Sequence, residues 1–157
     1  GLEHQPSACA TVGMLQVHPN SRNVIPGSVL FTVDFRHPND EILSAMDRQL
    51  RNVAEGIATE IGLVLDFEQI WQTPAVVFDE RCMEAIRLGA KSCNYEYMDI
   101  ISGAGHDACY VSQVAPTGMI FIPCEGGISH NEIEAAKLVD LEAGCNVLLQ
   151  AILEFAG

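Results

Sequence analysis

Two short stretches gather the residue types that do chemistry. CEGGISHNEIE, residues 124–134, sets His130 between a glycine pair and two glutamates, directly after the apolar run 119–122. SGAGHDA, residues 102–108, places His106-Asp107 behind two glycines. Neutral imidazole is a common ligand for zinc and related cations, so His130 reads as a metal ligand presented by a glycine-hinged loop, or as an exposed loop histidine. One histidine cannot build a catalytic zinc site, which takes three protein ligands, and no H-E-x-x-H partner accompanies it. Glu125, Glu132 and Glu134 can supply carboxylates or simply be solvated. His106-Asp107 reads as an acid–base pair, or, as the pattern favours, Asp107 caps a helix over DACYVSQV. Arg36, on the polar face at a strand end, can clamp a substrate carboxylate through two parallel hydrogen bonds or form a surface salt bridge. Asn23 can offer an amide hydrogen bond to a ligand or serve a turn. His4, His18 and His37 have no partner pattern.

The elements that must position these residues fall into two halves. In residues 9–18, Val12, Met14, Gln16 and His18 alternate onto one face; in residues 29–36, Val29, Phe31, Val33 and Phe35 do the same. The nine residues PNSRNVIPG between these strands turn at Pro26-Gly27 and are longer than a minimal hairpin loop. An amphipathic helix over 40–61 follows, with Ile42, Met46, Leu50, Val53 and Ile57 stepping by three or four and Gly62 as its stop. A third strand is expected at 63–71, with Leu63, Leu65, Phe67 and Trp71 facing inward. The unit reads β-β-α-β, a ferredoxin-like sandwich without its first strand and helix. TPAVVFDE, residues 73–80, joins it to an α/β layer: helices over 79–93 and 140–155, a short strand at 97–101, and a continuously apolar strand at 119–122 of the kind that parallel sheets cover on both faces. Both histidine-bearing loops follow a strand, where ligands of open α/β sheets gather, and the glycines let a ligand approach the main chain.

Composition narrows the partners. Eight Lys plus Arg against twenty-one Asp plus Glu give a net charge of −13, which repels nucleic-acid phosphates and anionic membranes. The six cysteines show no C-x-x-C pair and sit in apolar stretches, so they are expected as reduced core residues of a cytoplasmic protein. No apolar run reaches the length of a membrane span, and residues 1–10 lack a signal peptide's pattern. The missing initiator methionine suggests part of a longer polypeptide.

RNVIPG, VDFRHP, SGAGHDA and MIFIPCEGGISHNEIE, in that order and spacing, resemble the second half of the hydantoinase/carbamoylase family of binuclear-zinc amidohydrolases, which includes N-carbamoyl-L-amino-acid hydrolases and allantoate amidohydrolases. The resemblance implies the rear part of a ferredoxin-like lid and dimerisation domain at 1–74, and the C-terminal part of a zinc-aminopeptidase-like α/β catalytic domain at 75–157. It implies His130 as a ligand of one metal, Asn23 and Arg36 as lid residues that hold the substrate, and Gly105 as a backbone contact. It further implies two divalent ions per full-length protomer, zinc with manganese, cobalt or nickel as alternatives, and a homodimer formed through the lid. The substrate would be a small N-carbamoyl or ureido acid. The family's other metal ligands and its catalytic glutamate lie upstream of anything present, so no catalytic residue is assigned and the chain alone is expected to be inactive. Two other readings compete: a non-catalytic dimerisation module built on open sheet edges, and a nucleotide-binding domain with SGAGHDA as its phosphate loop, which fits neither phosphate-binding glycine motif.

Overall fold

The longest apolar stripe forms the longest helix. In a computed structural model, which describes residues 2–156, helix α1 spans Asp40–Ile61. Asn39 caps it, its side-chain oxygen accepting from the amides of Glu41 (2.8 Å) and Ile42 (3.1 Å), and His37 Nδ1 accepts the Asn39 amide at 3.0 Å. Gly62 ends it in the left-handed conformation, φ 74°, as the stop signal requires. Met46 is buried and Leu50 half-buried, but Val53 and Ile57 further along the same stripe are more than half exposed.

Before α1, β1 (Cys9–His18) pairs antiparallel with β2 (Ser28–Arg36). The pairing breaks register between Val12 and Met14. That bulge at Gly13 corrects the face assigned to β1: Val12 opposes Val33, whereas Leu15 opposes Phe31 and Val17 opposes Val29. The apolar face is therefore Val12, Leu15 and Val17, and Met14, Gln16 and His18 lie on the other, because one extra residue flips every later side chain. Residues 63–71 are not a strand, contrary to the alternation read there; Leu63 and Trp71 are largely exposed. A strand exists only through hydrogen bonds to a neighbour, and among the described residues the sheet has two strands, β1 and β2. These elements form one unit, which runs to Ala75 and includes Ile101–Gly103.

The second unit comprises Val76–Ile100 and the chain from Ala104 onward. It contains α2 (Glu80–Ser92), the single turn α3 (Ala108–Val111), a short 3-10 turn at Glu125–Gly127 and α4 (Leu138–Ala156). Helix α2 is capped by Asp79, whose carboxylate accepts from the amides of Arg81 and Cys82. Helices α2 and α4 pack against each other, with Ala85, Gly89 and Ala90 buried on α2 and Val147 and Ala151 buried on α4. A methyl group on Gly89 would stand 3.0 Å from the Val147 carbonyl oxygen, so glycine sets the helix separation. Residues 97–101 and 119–122, both expected as strands, form no strand with any of the described residues. The cysteines are not core residues either. All six are free thiols; Cys9 and Cys145 are exposed and the other four half-buried.

Candidate functional site

In the first unit Arg36 closes β2 with its guanidinium forked onto Asp34, two residues back on the same face. Nε donates to Asp34 Oδ1 at 2.7 Å and Nη2 to Oδ2 at 3.3 Å. Nη1 donates to the Gly103 carbonyl at 2.8 Å, tying the strand end to the start of the glycine-rich loop. Hydrogen bonding to Asp34, then its charge, hold Arg36 above its ordinary pKa. Both side chains are about half exposed, so the cation stays open to a ligand beside its partner. Asn23 sits at the other end of the hairpin, beyond the closing bond from the Gly27 amide to the His18 carbonyl (2.9 Å). It is exposed, and Ser21 Oγ donates to its Oδ1 at 2.7 Å. The length of β2 separates the two residues, roughly 27 Å at the rise of an antiparallel strand.

In the second unit His130 lies on the loop after residues 119–122. The loop is closed at its base by the Glu125 amide donating to the Ala135 carbonyl at 2.7 Å. Gly126 and Gly127 turn it with φ of 62° and 69°. His130 itself is left-handed, φ 57°, a conformation that costs a residue with a Cβ about 1–2 kcal/mol. Glu134 sustains it: Oε2 accepts the His130 amide at 2.8 Å, and Cys124 Sγ lies 3.8 Å from Oε1. Ser129 Oγ is 3.2 Å from His130 Nδ1, and the ring is exposed. That arrangement engages Nδ1 and leaves Nε2 as the outward atom among the described residues. The carboxylate brace was missed by sequence reasoning, although the i to i+4 spacing of His130 and Glu134 was its available signal.

Gly105 is exposed on the SGAGHDA loop, and the neighbouring His106 ring packs edge-on against Phe121, centroids 5.4 Å apart. The His106 loop is thus packed against the apolar run that leads into the His130 loop. Asp107 precedes α3 but makes no capping bond; its own backbone is already helical (φ −58°, ψ −28°), so its side chain does not reach back to the free amides. Another residue unnoticed in the sequence is Arg87, whose guanidinium joins Glu80 (2.6 Å), Glu84 (3.2 Å) and Asp99 (3.0 Å) and so ties the segment leading into the loop to α2. Hydrogen bonds to these carboxylates, Asp99 foremost, raise its pKa. No group of three His, Cys, Asp or Glu side chains that can hold a metal occurs among the described residues. The donors present therefore do not by themselves make a metal site.

Residues 8–154 match the model of peptidase family M20/M25/M40. The chain belongs to peptidase family M20/M25/M40. Among solved structures, this M20/M25/M40 chain is similar to an amidase of the hydantoinase/carbamoylase family from Burkholderia multivorans. The identity is 58% and the TM-score 0.92, over 98% of this chain and 38% of that one. It is 43% identical to an N-carbamoyl-L-amino-acid amidohydrolase of Rhizobium meliloti over 99% of its length. It is 32% identical to an allantoate amidohydrolase of Escherichia coli over 93%. It spans 37% and 36% of these two relatives. The α/β fold is that of the corresponding third of the hydantoinase/carbamoylase proteins, and the expected resemblance holds.

Proposed function

We propose that this chain is part of an amidohydrolase that cleaves the carbamoyl C–N bond of an N-carbamoyl-L-amino acid or a related ureido acid. The observation that carries the reading is the match along nearly the whole chain to relatives with those names, joined to an exposed imidazole held in a strained, braced loop. Hydrolysis would consume one water and release the amine, while the carbamate left behind collapses to ammonia and carbon dioxide. Residues 1–74 would act as part of a lid and dimerisation domain, residues 75–157 as part of the catalytic domain. Arg36 would grip the substrate carboxylate, with Asp34 fixing the orientation of the guanidinium and Gly103 holding its far edge. Asn23, at the opposite end of the hairpin, would serve the site of a partner protomer, which supports a homodimer through the lid. Gly105, beside His106, would offer a backbone contact.

Divalent ions, zinc or a related cation, belong to this reading, with His130 as one ligand and the remaining donors outside this chain. Free thiols throughout support a cytoplasmic setting. The test is hydrolysis of N-carbamoyl-L-amino acids and allantoate, together with metal content by plasma mass spectrometry, on this chain and on the full-length product of its gene. Turnover and about two metal ions per protomer in the longer product, with neither in this chain, is the expected result. A full-length product that binds no metal and hydrolyses neither substrate class would overturn the reading.

A further inference from the structure

The connection between β1 and β2 builds a small polar assembly around Asn23. The Gly27 amide closes its ends on the His18 carbonyl at 2.9 Å. Within it the Val24 amide donates to the Ser21 carbonyl at 3.3 Å, which makes a four-residue turn with Arg22 and Asn23 at its centre. Asn20, which leads into the turn, is left-handed at φ 54°, a conformation that asparagine tolerates. Ser21 thus engages Asn23 in two ways. Its carbonyl closes the turn around that residue, and its Oγ donates to Asn23 Oδ1 at 2.7 Å, the usual length of a hydroxyl bond to oxygen. The flanking Pro19, Val24, Ile25 and Pro26 have no polar side-chain atom to take over that part.

The direction of the bond decides what Asn23 can hold. A carboxamide accepts at its oxygen and donates at its nitrogen, and a hydroxyl gives its proton only to the first. With Oδ1 engaged by Ser21, Nδ2 and its two N–H donors are the end left for a ligand, and both residues are exposed. The matching ligand atom is an acceptor, a carboxylate or carbonyl oxygen, and not an amide nitrogen. An N-carbamoyl acid carries both kinds: its carboxylate and ureido oxygens accept, and its terminal amino group donates. An untethered asparagine turns either end outward and loses that freedom on gripping a ligand, whereas one ordered in advance does not.

We propose that Ser21 is a positioning residue: its hydroxyl orders the Asn23 carboxamide so that Nδ2 is presented to an oxygen of the substrate. The inference deepens the amidohydrolase reading and rests on it for the role of Asn23 as a substrate-holding residue. Ser21 itself touches no substrate atom. Its effect is the ordering of a grip that is the same in the ground state and the transition state, so it acts on KM and leaves kcat alone.

In the full-length product of the gene, Ser21→Ala should raise KM for an N-carbamoyl-L-amino acid about two- to tenfold and leave kcat within about twofold. Ser21→Thr, which keeps the hydroxyl, should restore KM. In an Asn23→Ala background Ser21→Ala should add nothing, because the group it orders is gone. Asn23→Asp keeps an acceptor for Ser21 but replaces both donors by an anionic oxygen, so its KM should exceed that of Asn23→Ala. An unchanged KM in Ser21→Ala overturns the proposal, as does a full effect of that change in the Asn23→Ala background or an Asn23→Asp protein that binds as well as the native one. A second measurement is independent of turnover. NMR relaxation of the Asn23 side-chain amide in the same full-length product, assigned by its loss in Asn23→Ala, should show added fast motion in Ser21→Ala. The Asn146 amide, which donates to the Tyr95 hydroxyl at 2.9 Å, should stay as it is. Equal relaxation of Asn23 with and without the Ser21 hydroxyl overturns the positioning role. A product in which Ser21 orders Asn23 but which hydrolyses no carbamoyl substrate keeps that role and removes the functional reading.

Discussion

Replacing Glu134 by alanine removes the acceptor that holds the His130 amide at 2.8 Å. His130 then keeps its φ of 57° without the bond that offsets the strain. A hydrogen bond to a charged group contributes about 1.5–3 kcal/mol, and the exposure of this loop places the loss at the lower end, about 1.5 kcal/mol, on the order of tenfold in the opening equilibrium. Amide hydrogen exchange followed by NMR on this chain reads that equilibrium directly. Protection at His130 should fall about tenfold in Glu134→Ala and by no more than about threefold in Glu134→Gln, whose side-chain oxygen still accepts. The Glu125 amide, bonded to Ala135 at the base of the loop, is the internal control and should keep its rate. Unchanged exchange at His130 in Glu134→Ala would refute the brace. A parallel rise at Glu125 would show that the whole loop had melted, and would refute the local reasoning as well.

In α1, Gly56 has nothing within 4 Å of an added methyl, so Gly56→Ala should gain up to about 1 kcal/mol from helix propensity. Gly89→Val, driven into the α4 backbone, should lose about 2–3 kcal/mol; urea unfolding of the two variants checks the contrast. Hydrogen bonding to Arg81, with the helix amides assisting, keeps the Asp79 carboxyl below its ordinary 3.8. Its cap is therefore intact above that value and lost as pH falls through the lower folded value. Helix content monitored by circular dichroism below pH 4 should fall less steeply in Asp79→Asn, and an identical acid profile would contradict the assignment. If Arg36 grips a substrate carboxylate as proposed, Arg36→Lys in the full-length gene product should raise KM about tenfold, since an ammonium cannot serve Asp34, Gly103 and a carboxylate with a planar fork; an unchanged KM would overturn that proposed role.

What the sequence by itself determined is what is decided locally or by order along the chain. Helices α1, α2 and α4 follow from apolar residues spaced by three or four and from stop signals such as Gly62, because every helical hydrogen bond is made within the segment. The ordered motifs around Asn23, Arg36, Gly105 and His130 carried the family for the same reason: order and spacing are properties of the chain. What only the tertiary structure decided involves partners distant in sequence. Residues 63–71, 97–101 and 119–122 have the composition of strands, yet a strand is completed by a neighbour's amides and carbonyls, and none of the described residues supplies them. Alternation along β1 could not reveal that the pairing slips beside Gly13 and exchanges the faces after it. Nor could the thirteen-residue step from Asn23 to Arg36 show that Arg36 ends β2 while Asn23 lies in the connection before it. The brace of Glu134 on His130 depends on a left-handed residue that only the folded loop fixes. Apolar residues on α4 announced burial, but which surface buries them is a matter of long-range packing, and within this chain that surface is left open.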